Sequence, residues 1–302
     1  MLFLRVCVTL GLGAGLLISL FSFMGPWPGD MITPFRLYLL ALSGVGMAVA
    51  VPLKRRWLMG LAAVDVVANG LPVATRLIGR TGLPAPHNES NRPLSLLFSN
   101  VLCDNRQFDR VATLARAQNA DMFAAAETTP EWLDHLHALD DLYPYRFTPE
   151  GLGNFGIAVY AKRPFTADVY RIGRYRMALA RADFGDYIVF VAHPMPPANS
   201  DLAEDNRVYI EDLAARVAME TKPVIVTGDL NATLWSHDMA PLIQQKMQWP
   251  HGSGMAYSWP ATGSLLHIQI DRVLTMHARA GTYRVLPAVG SDHFPVRADI
   301  WF

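Results

Sequence analysis

Pro223-Val224-Ile225-Val226-Thr227-Gly228-Asp229-Leu230-Asn231 holds a short β-branched run between a proline and a glycine. Val224 to Val226 suit a buried strand, and Gly228 marks its end. Beyond the run stand Asp229 and Asn231, separated by the apolar Leu230. On an extended backbone, residues two apart point to the same side. A carboxylate beside an amide at a strand end suits a general base next to a group that holds a phosphate or a water. The same residues also make an ordinary turn, because Asp, Asn and Gly all favour one.

Outward from this stretch, strands and helices alternate. Leu94 to Phe98 reads as an apolar strand ending at Ser99-Asn100. A helix over Gln107–Gln118 places Phe108, Val111, Leu114 and Ala115 on one face at helical spacing. Asp121 to Ala126 is a buried strand that delivers Glu127. A short helix opens at Thr129 or Pro130 and runs to about Leu139. Phe155 to Ala161, Met177 to Phe184 and Tyr187 to Ala192 read as strands, the last delivering His193. A long helix spans Asp201–Met219, and a shorter one lies near Met239–Met247. Ile268 to Leu274 alternates like a half-buried strand with Asp271 inside it, and Phe294 to Trp301 is the last strand. Several strands follow one another directly between 155 and 192. Two mixed sheets covered by outer helices fit this order better than a doubly wound parallel sheet.

The N-terminal third differs in character. The chain has 302 residues with 17% charged, below the usual quarter of a soluble domain. The deficit lies in residues 1–80, which hold 7 Lys/Arg and only two acids, Asp30 and Asp65. Leu2 to Phe23 is apolar apart from Arg5 and small polar residues, and is long enough to span a bilayer. A Pro/Gly-rich break, Gly25-Pro26-Trp27-Pro28-Gly29-Asp30, follows. Leu37 to Leu53 is a second apolar run, ended by Lys54-Arg55-Arg56. Trp57 to about Ile78 is a third, with Asp65, Asn69, Pro72 and Arg76 inside it. An Asp at a helix centre costs roughly 2.5–3.5 kcal/mol on the insertion scale, which apolar neighbours offset if Asp65 faces the other helices. The first run also fits a cleaved signal peptide with Arg5 as its charged start, but a second apolar run follows it and no small-x-small cleavage site stands out. The third run also fits an interfacial or re-entrant segment, which would change the parity of spans. Three spans put the Lys54-Arg55-Arg56 cluster in the cytoplasm by the positive-inside rule, with everything after about residue 80 outside. Arg76 and Arg80 at the outer end count against this.

The expected division is therefore a membrane region over 1–80, a Gly/Pro/Asn/Ser-rich linker over 81–93, and a soluble domain over 94–302. Residues 81–302 hold 19 Lys/Arg against 24 acids. A mildly acidic domain is poorly suited to non-specific nucleic-acid binding, which needs Lys/Arg to neutralise phosphates. Cys7 and Cys103 lie in different regions and make neither a disulfide framework nor a metal knuckle.

Polar groups recur beside the apolar runs: Asn100, Glu127, His193, Asp229, Asn231, Asp271, Asp292 and His293. Carboxylates, imidazoles and amides in this pattern suit a hard divalent cation and a phosphate ester. Mg²⁺ takes oxygen ligands, few of them from protein, and zinc would want more His or Cys.

The order of these groups resembles the endonuclease/exonuclease/phosphatase superfamily over about residues 94–302. The motifs are Asn100 after the first strand, Ala126-Glu127, Ala192-His193-Pro194, Gly228-Asp229-Leu230-Asn231, Ile270-Asp271-Arg272 and Ser291-Asp292-His293. The apolar N-terminus and Tyr257-Ser258-Trp259 resemble the membrane-anchored bacterial branch. The resemblance implies a four-layer α/β sandwich of two packed mixed β-sheets flanked by helices, here preceded by transmembrane helices. It implies a metal-dependent phosphoric ester hydrolase, with Mg²⁺ as cofactor and Mn²⁺ as a substitute. The expected substrate is a phosphate ester of nucleic acid, lipid or inositol phosphate, and no protein partner is expected. The expected location is the bacterial inner membrane, with the catalytic domain extracytoplasmic.

The resemblance also implies roles. Glu127, Asn100 and Asp292 form the metal and phosphate site. Asp229 orients or deprotonates the attacking water, and Asn231 holds the phosphate or the nucleophile. His293 contacts the scissile phosphate, with Asp271 fixing its tautomer. His193 stabilises developing charge or protonates the leaving oxygen. Asn154 and Tyr160 lie where the family often places groups that contact substrate. Two positions depart from the pattern. Leu102 stands where many nucleases carry an acid, leaving Asp104 and Asn105 as substitutes, and Arg272 stands where a His or Tyr is common. The competing expectation is a catalytically silent binding module of the same fold at the membrane surface.

Overall fold

Apolar runs closed by Gly, Pro or Asn become strands, and amphipathic runs become helices that cover them. The computed structural model describes residues 2–52, 54, 56–79, 93–150, 153–250 and 253–302. The strands are β1 (Leu94–Asn100), β2 (Met122–Ala126), β3 (Tyr145–Phe147), β4 (Ile157–Ala161), β5 (Thr166–Ile172), β6 (Met177–Asp183), β7 (Ile188–Ala192), β8 (Val224–Asp229), β9 (Asp271–Met276), β10 (Arg279–Val285) and β11 (Val296–Trp301). The main helices are α1 (Leu2–Phe21), α2 (Pro26–Ile32), α3 (Arg36–Ala50), α4 (Arg56–Gly79), α5 (Phe108–Gln118), α6 (Pro130–Leu136), α7 (Ser200–Met219) and α8 (Ala240–Gln244).

The strands form two mixed sheets, in the orders β10-β11-β1-β2-β4-β3 and β5-β6-β7-β8-β9. Each sheet contains one parallel pair, β1 with β2 and β7 with β8. Helices α5 and α7 make the two crossovers, as a parallel pair requires. A parallel pair brings two carboxyl ends to the same edge. Asn100 pairs with Ala126 in one sheet and Ala192 with Gly228 in the other. The residues that follow these ends are the ones the sequence singles out.

The sheets pack face to face through Leu96, Phe98 and Val159 on one side and Val189, Val191 and Ile225 on the other. Outside the first sheet, α5 and α6 bury Leu97, Phe123 and Trp132. Outside the second, α7 and α8 bury Phe190, Val224, Leu213 and Leu242. Local chemistry sets the helix starts. Thr129 caps α6 by accepting from the Trp132 N–H at 3.2 Å, with Pro130 in the first turn, and Asn199 caps α7 by accepting from Leu202 N–H at 3.0 Å.

The expected sandwich is what forms, with differences in detail. The short edge strand β3, with β5 and β10, was not foreseen. Gly281 sits in β10, where the pairing with β11 shifts register, and β5 is a part-exposed edge strand. Asp271 opens β9 instead of lying within a longer strand. β9 is an edge strand buried on both faces, with Val273 in the core between the sheets and Leu274 and Met276 in the cluster under α7 and α8, while Gln248 bridges to Thr275 at the open edge.

At the N-terminus, Trp27–Ala50 and Arg56–Leu77 are long and apolar enough to cross a membrane, and Thr9–Phe21 is a shorter apolar helix. The interior of α1, α3 and α4 is not wholly apolar. Asp65 faces the other helices, as its cost of burial requires. It accepts from Asn69 Nδ2 at 2.9 Å and from the Ser43 hydroxyl, while Asn69 Nδ2 also donates to Ser19 Oγ at 2.8 Å. The expected 81–93 linker lies outside the described residues except for Pro93.

The segment between α1 and α3 touches the two-sheet sandwich. The backbone N–H of His237 donates to Asp30 Oδ1 at 2.8 Å, and Thr33 Oγ1 donates to Ser236 Oγ at 3.3 Å. Tyr38 accepts from the His267 N–H at 2.7 Å and donates to the His267 carbonyl at 2.8 Å. From the C-terminal half of α4, Val73 and Leu77 join the apolar cluster under α7 and α8, together with Leu37.

Candidate active site

The carboxyl ends of β1, β2, β7 and β8 meet across the gap between the sheets. Two backbone devices aim their side chains. Gly228 has φ 148°, and a Cβ there would sit 1.9 Å from the Ala192 carbonyl oxygen, so only glycine lets β8 run this close to the end of β7. Glu127 and Asn231 both have left-handed backbones, with φ 59° and 51°. Strained conformations of this kind persist where the surroundings hold a side chain for a task.

Asn100 is the hub. It is fully buried, and its Nδ2 donates to Glu127 Oε1 at 2.9 Å and to Asp229 Oδ2 at 3.2 Å. Its Oδ1 accepts from the Leu102 N–H at 3.0 Å. Glu127 accepts a second hydrogen bond, at Oε2 from the Cys103 N–H, at 3.1 Å. Asp229 Oδ1 accepts from the Asn231 N–H at 2.9 Å, which leaves Oδ2 toward the cleft. Asn231 Nδ2 donates to the Pro194 carbonyl at 3.0 Å and keeps a second N–H.

Two imidazoles flank Asp229. His193 Nε2 lies 3.8 Å from Asp229 Oδ2 and 3.9 Å from Glu127 Oε1. His293 Nε2 lies 3.5 Å from Asp229 Oδ2. Behind it, His293 Nδ1 meets Asp271 Oδ2 at 2.9 Å. Asp271 is fully buried, and its backbone N–H donates to Ser258 Oγ at 3.2 Å. Burial opposes a charged imidazole, but the negative charges of Asp271 and Asp229 and the hydrogen bond to Asp271 outweigh it, and the His293 pKa is pushed up to about 10. Burial also pushes the Asp271 carboxyl up. His293 is therefore a cation at neutral pH.

Asp292 stands beside this group. Its Oδ2 accepts from the Trp259 indole N–H at 3.0 Å, while its Oδ1 is buried without a hydrogen-bond partner. An orphaned carboxylate oxygen in a polar cleft fits a cation ligand. Glu127 and Asp292 offer carboxylate oxygens, which suit a hard ion, whereas Asn100 turns its amide nitrogen toward Glu127 and its oxygen to the Leu102 N–H. Ligand atoms of Asp229, Asp271 and His293 also lie within 4.8 Å of one another. There the Asp271 carboxylate is engaged with His293, so this trio reads as an ion pair that fixes an imidazole.

The cleft encloses about 360 Å³, and Glu127, His193, Asp229, Asn231, Asp292 and His293 all line it. Asn154 is exposed on the turn Gly153–Phe155 and is not a lining residue, whereas its neighbour Phe155 is. Tyr160 is buried in the core beneath α6. Neither substitute for an acid at Leu102 reaches the cleft. Asp104 is exposed, and Asn105 Nδ2 is tied to the carbonyls of Val101 and Val289. Arg272 is buried and donates to the carbonyls of Ala232 and Gln269 at 3.2 and 2.5 Å, a structural role. Arg207 forms ion pairs with Glu204 and Glu211, as its helical spacing implies. The Cys103 thiol is pushed up by burial and the Glu127 charge. Sequence reasoning missed Trp259 as a partner of Asp292, and missed Asp30, Met31, Pro34 and Phe35, which line the cleft from the α1–α3 segment.

A sandwich of two mixed sheets, with carboxylates and imidazoles converging at paired strand ends, defines a phosphoesterase-like fold with an acidic and histidine-rich site. Residues 97–293 match the model of the Endonuclease/Exonuclease/phosphatase family, and the chain belongs to it. No curated protein matches the sequence significantly. Among solved structures it resembles D. rerio TDP2 complexed with single-strand DNA product, at 13% identity and TM-score 0.57, over 70% of this chain and 100% of that one. It also resembles sphingomyelinase C from Streptomyces griseocarneus, at 17% identity and TM-score 0.52, over 69% and 99%. A third likeness is to a beta toxin variant from Staphylococcus aureus with bound magnesium ions, at 14% identity and TM-score 0.53, over 68% and 99%.

Proposed function

We propose that the chain is a membrane-anchored phosphoesterase that hydrolyses a phosphate ester by in-line attack of water, with a divalent cation held by Glu127 and Asp292 and with Asn100 positioning the Glu127 carboxylate. The observation that carries this is the meeting of Asn100, Glu127, His193, Asp229 and His293 from both sheets around one cleft. When bound, the cation would neutralise phosphate charge; a magnesium-bound neighbour supports Mg²⁺ as that ion.

The chain's own residues do the rest. Asp229 Oδ2 receives a proton from the attacking water as the new oxygen–phosphorus bond forms. The His293 imidazolium faces the non-bridging phosphate oxygens and stabilises their charge. Asp271 holds that imidazolium in place. His193 Nε2 donates a proton to the leaving oxygen as the ester bond breaks, giving an alcohol and a phosphate. The second Asn231 N–H orients the phosphate. Positioning of this kind, with acid and base groups in reach, supplies most of the rate in phosphoryl transfer.

Which ends touch supports one orientation in the membrane. The α1–α3 segment and the far end of α4 both contact the soluble domain, whereas Lys54 lies in the α3–α4 turn and Arg56 opens α4 at the opposite end. Three crossings with the basic turn inside, and the catalytic domain outside the cytoplasm, satisfy this arrangement and the positive-inside rule.

Mg²⁺ binding tests the cation site. Calorimetric titration of the detergent-solubilised chain, stripped with EDTA, is expected to show saturable Mg²⁺ binding that Glu127→Gln abolishes. Equal binding by wild type and Glu127→Gln would refute the assignment.

A further inference from the structure

The cleft has two kinds of wall. One is the polar cluster at the strand ends. The other is apolar and includes Met31, Pro34 and Phe35, which belong to the segment joining α1 to α3. Phe155, Pro196 and Pro197 extend it on the catalytic side. This segment is fixed in place. Asp30 is buried against His237, Thr33 and Pro34 are buried, and Tyr38 grips the His267 backbone from the start of α3. Since α1 and α3 are apolar helices, the segment between them lies at a membrane surface if they cross one, and so does the mouth of the cleft.

Exposed apolar residues stand beside the lining residues in the chain. Met24, Trp27 and Met31 are 64%, 45% and 45% exposed on the segment itself. Leu265 is 94% exposed in the loop between Trp259 and Ile268, both of which line the cleft. His267, on the same loop, is the residue that Tyr38 holds. Among the described residues, neither Lys nor Arg lines the cleft. Arg171 and Arg176 line a separate hollow that meets it at Phe155, and two cations are few for a strand of phosphates.

We infer that the α1–α3 segment forms a wall of the active site, and that Met31, Pro34 and Phe35 select a phosphate ester carrying a long apolar chain, which enters from the bilayer. This rests on the phosphoesterase reading above. The membrane region is thereby part of the substrate site as well as an anchor. The chain lies along the apolar wall and places its phosphate among Glu127, Asp229 and His293. Burial of the chain in the wall holds the ester at the polar end.

The test compares two diesters with one leaving group, methyl p-nitrophenyl phosphate and hexadecyl p-nitrophenyl phosphate, on the full chain in detergent. Wild type is expected to show at least tenfold higher kcat/KM on the hexadecyl ester. Met31→Glu and Phe35→Ala are expected to lower the hexadecyl-to-methyl ratio of kcat/KM at least tenfold, mainly through KM, and Phe35→Leu to restore it. No chain-length preference in wild type, an equal loss on both esters, or faster turnover of single-stranded DNA would overturn the inference. In parallel, hexadecyl phosphate bearing a diazirine at its chain end is photolysed with wild type. Cross-links to residues 24–36 are expected, and their absence contradicts the wall. If neither ester is hydrolysed the phosphoesterase reading fails, while the cross-linking result still decides whether the wall takes a chain.

Discussion

His293 shows how one buried carboxylate sets the chemistry of a neighbour. Without Asp271 behind it, burial would favour the neutral imidazole; with Asp271 and Asp229 near, the pKa is pushed up to about 10 and the cation persists at neutral pH. Asp271→Asn removes the larger of the two charges. Its kcat/KM is expected to fall about 10- to 100-fold, and the alkaline limb of its pH profile to move down from near 10 toward 6.5. A limb that stays in place would assign that ionisation elsewhere. Most of this site was legible because each residue follows a recognisable apolar run. Asn100, Glu127, His193 and Asp229 stand at strand ends whose strands could be read individually. The bond from Trp259 to Asp292 was not legible, because an indole reaching across 33 positions leaves no local pattern. Asn154 is exposed beside the cleft, and its neighbour Phe155 is a lining residue.

Among the elements, the strands with continuous apolar runs were readable, and β3, β5 and β10 were not. The latter three are short, exposed or interrupted by glycine, so their pairing comes from neighbours and not from their own sequence. The Gly25–Asp30 break gave no sign that it docks elsewhere. It does so through a cluster of Asp30, His237 and Asp238, which Arg207 and Glu211 also influence. Burial and the Asp30 charge push the Asp238 carboxyl up to about 7, while His237 and Arg207 act the other way. A carboxyl raised in the folded state contributes stability that is full below its unfolded value of 3.8 and lost as pH rises through about 7. Thermal unfolding of the full chain between pH 5 and 8 should therefore show a fall in Tm with rising pH, and Asp238→Asn should flatten it. An unchanged slope in the variant would place the responsible proton on another group.

For the whole molecule, the two parallel strand pairs and the segment between the apolar helices α1 and α3 are arranged about one cleft. The sheets deliver the polar wall, and the segment between α1 and α3 delivers the apolar one. Orientation across the membrane can be read by cysteine labelling in a Cys7→Ser, Cys103→Ser background. Lys54→Cys in the α3–α4 turn should be protected from a membrane-impermeant maleimide in intact cells, and Met219→Cys, at an exposed position at the end of α7, should react. The opposite pattern would invert the topology. The central claim is that Asp229 and its partners hydrolyse a phosphate ester, and turnover of bis(p-nitrophenyl) phosphate by the full chain with Mg²⁺ tests it most directly. The account predicts turnover that EDTA abolishes and that Asp229→Ala lowers by about 10²–10⁴-fold. Turnover that persists undiminished in the Asp229→Ala variant, or none in a folded wild type that binds Mg²⁺, would contradict it.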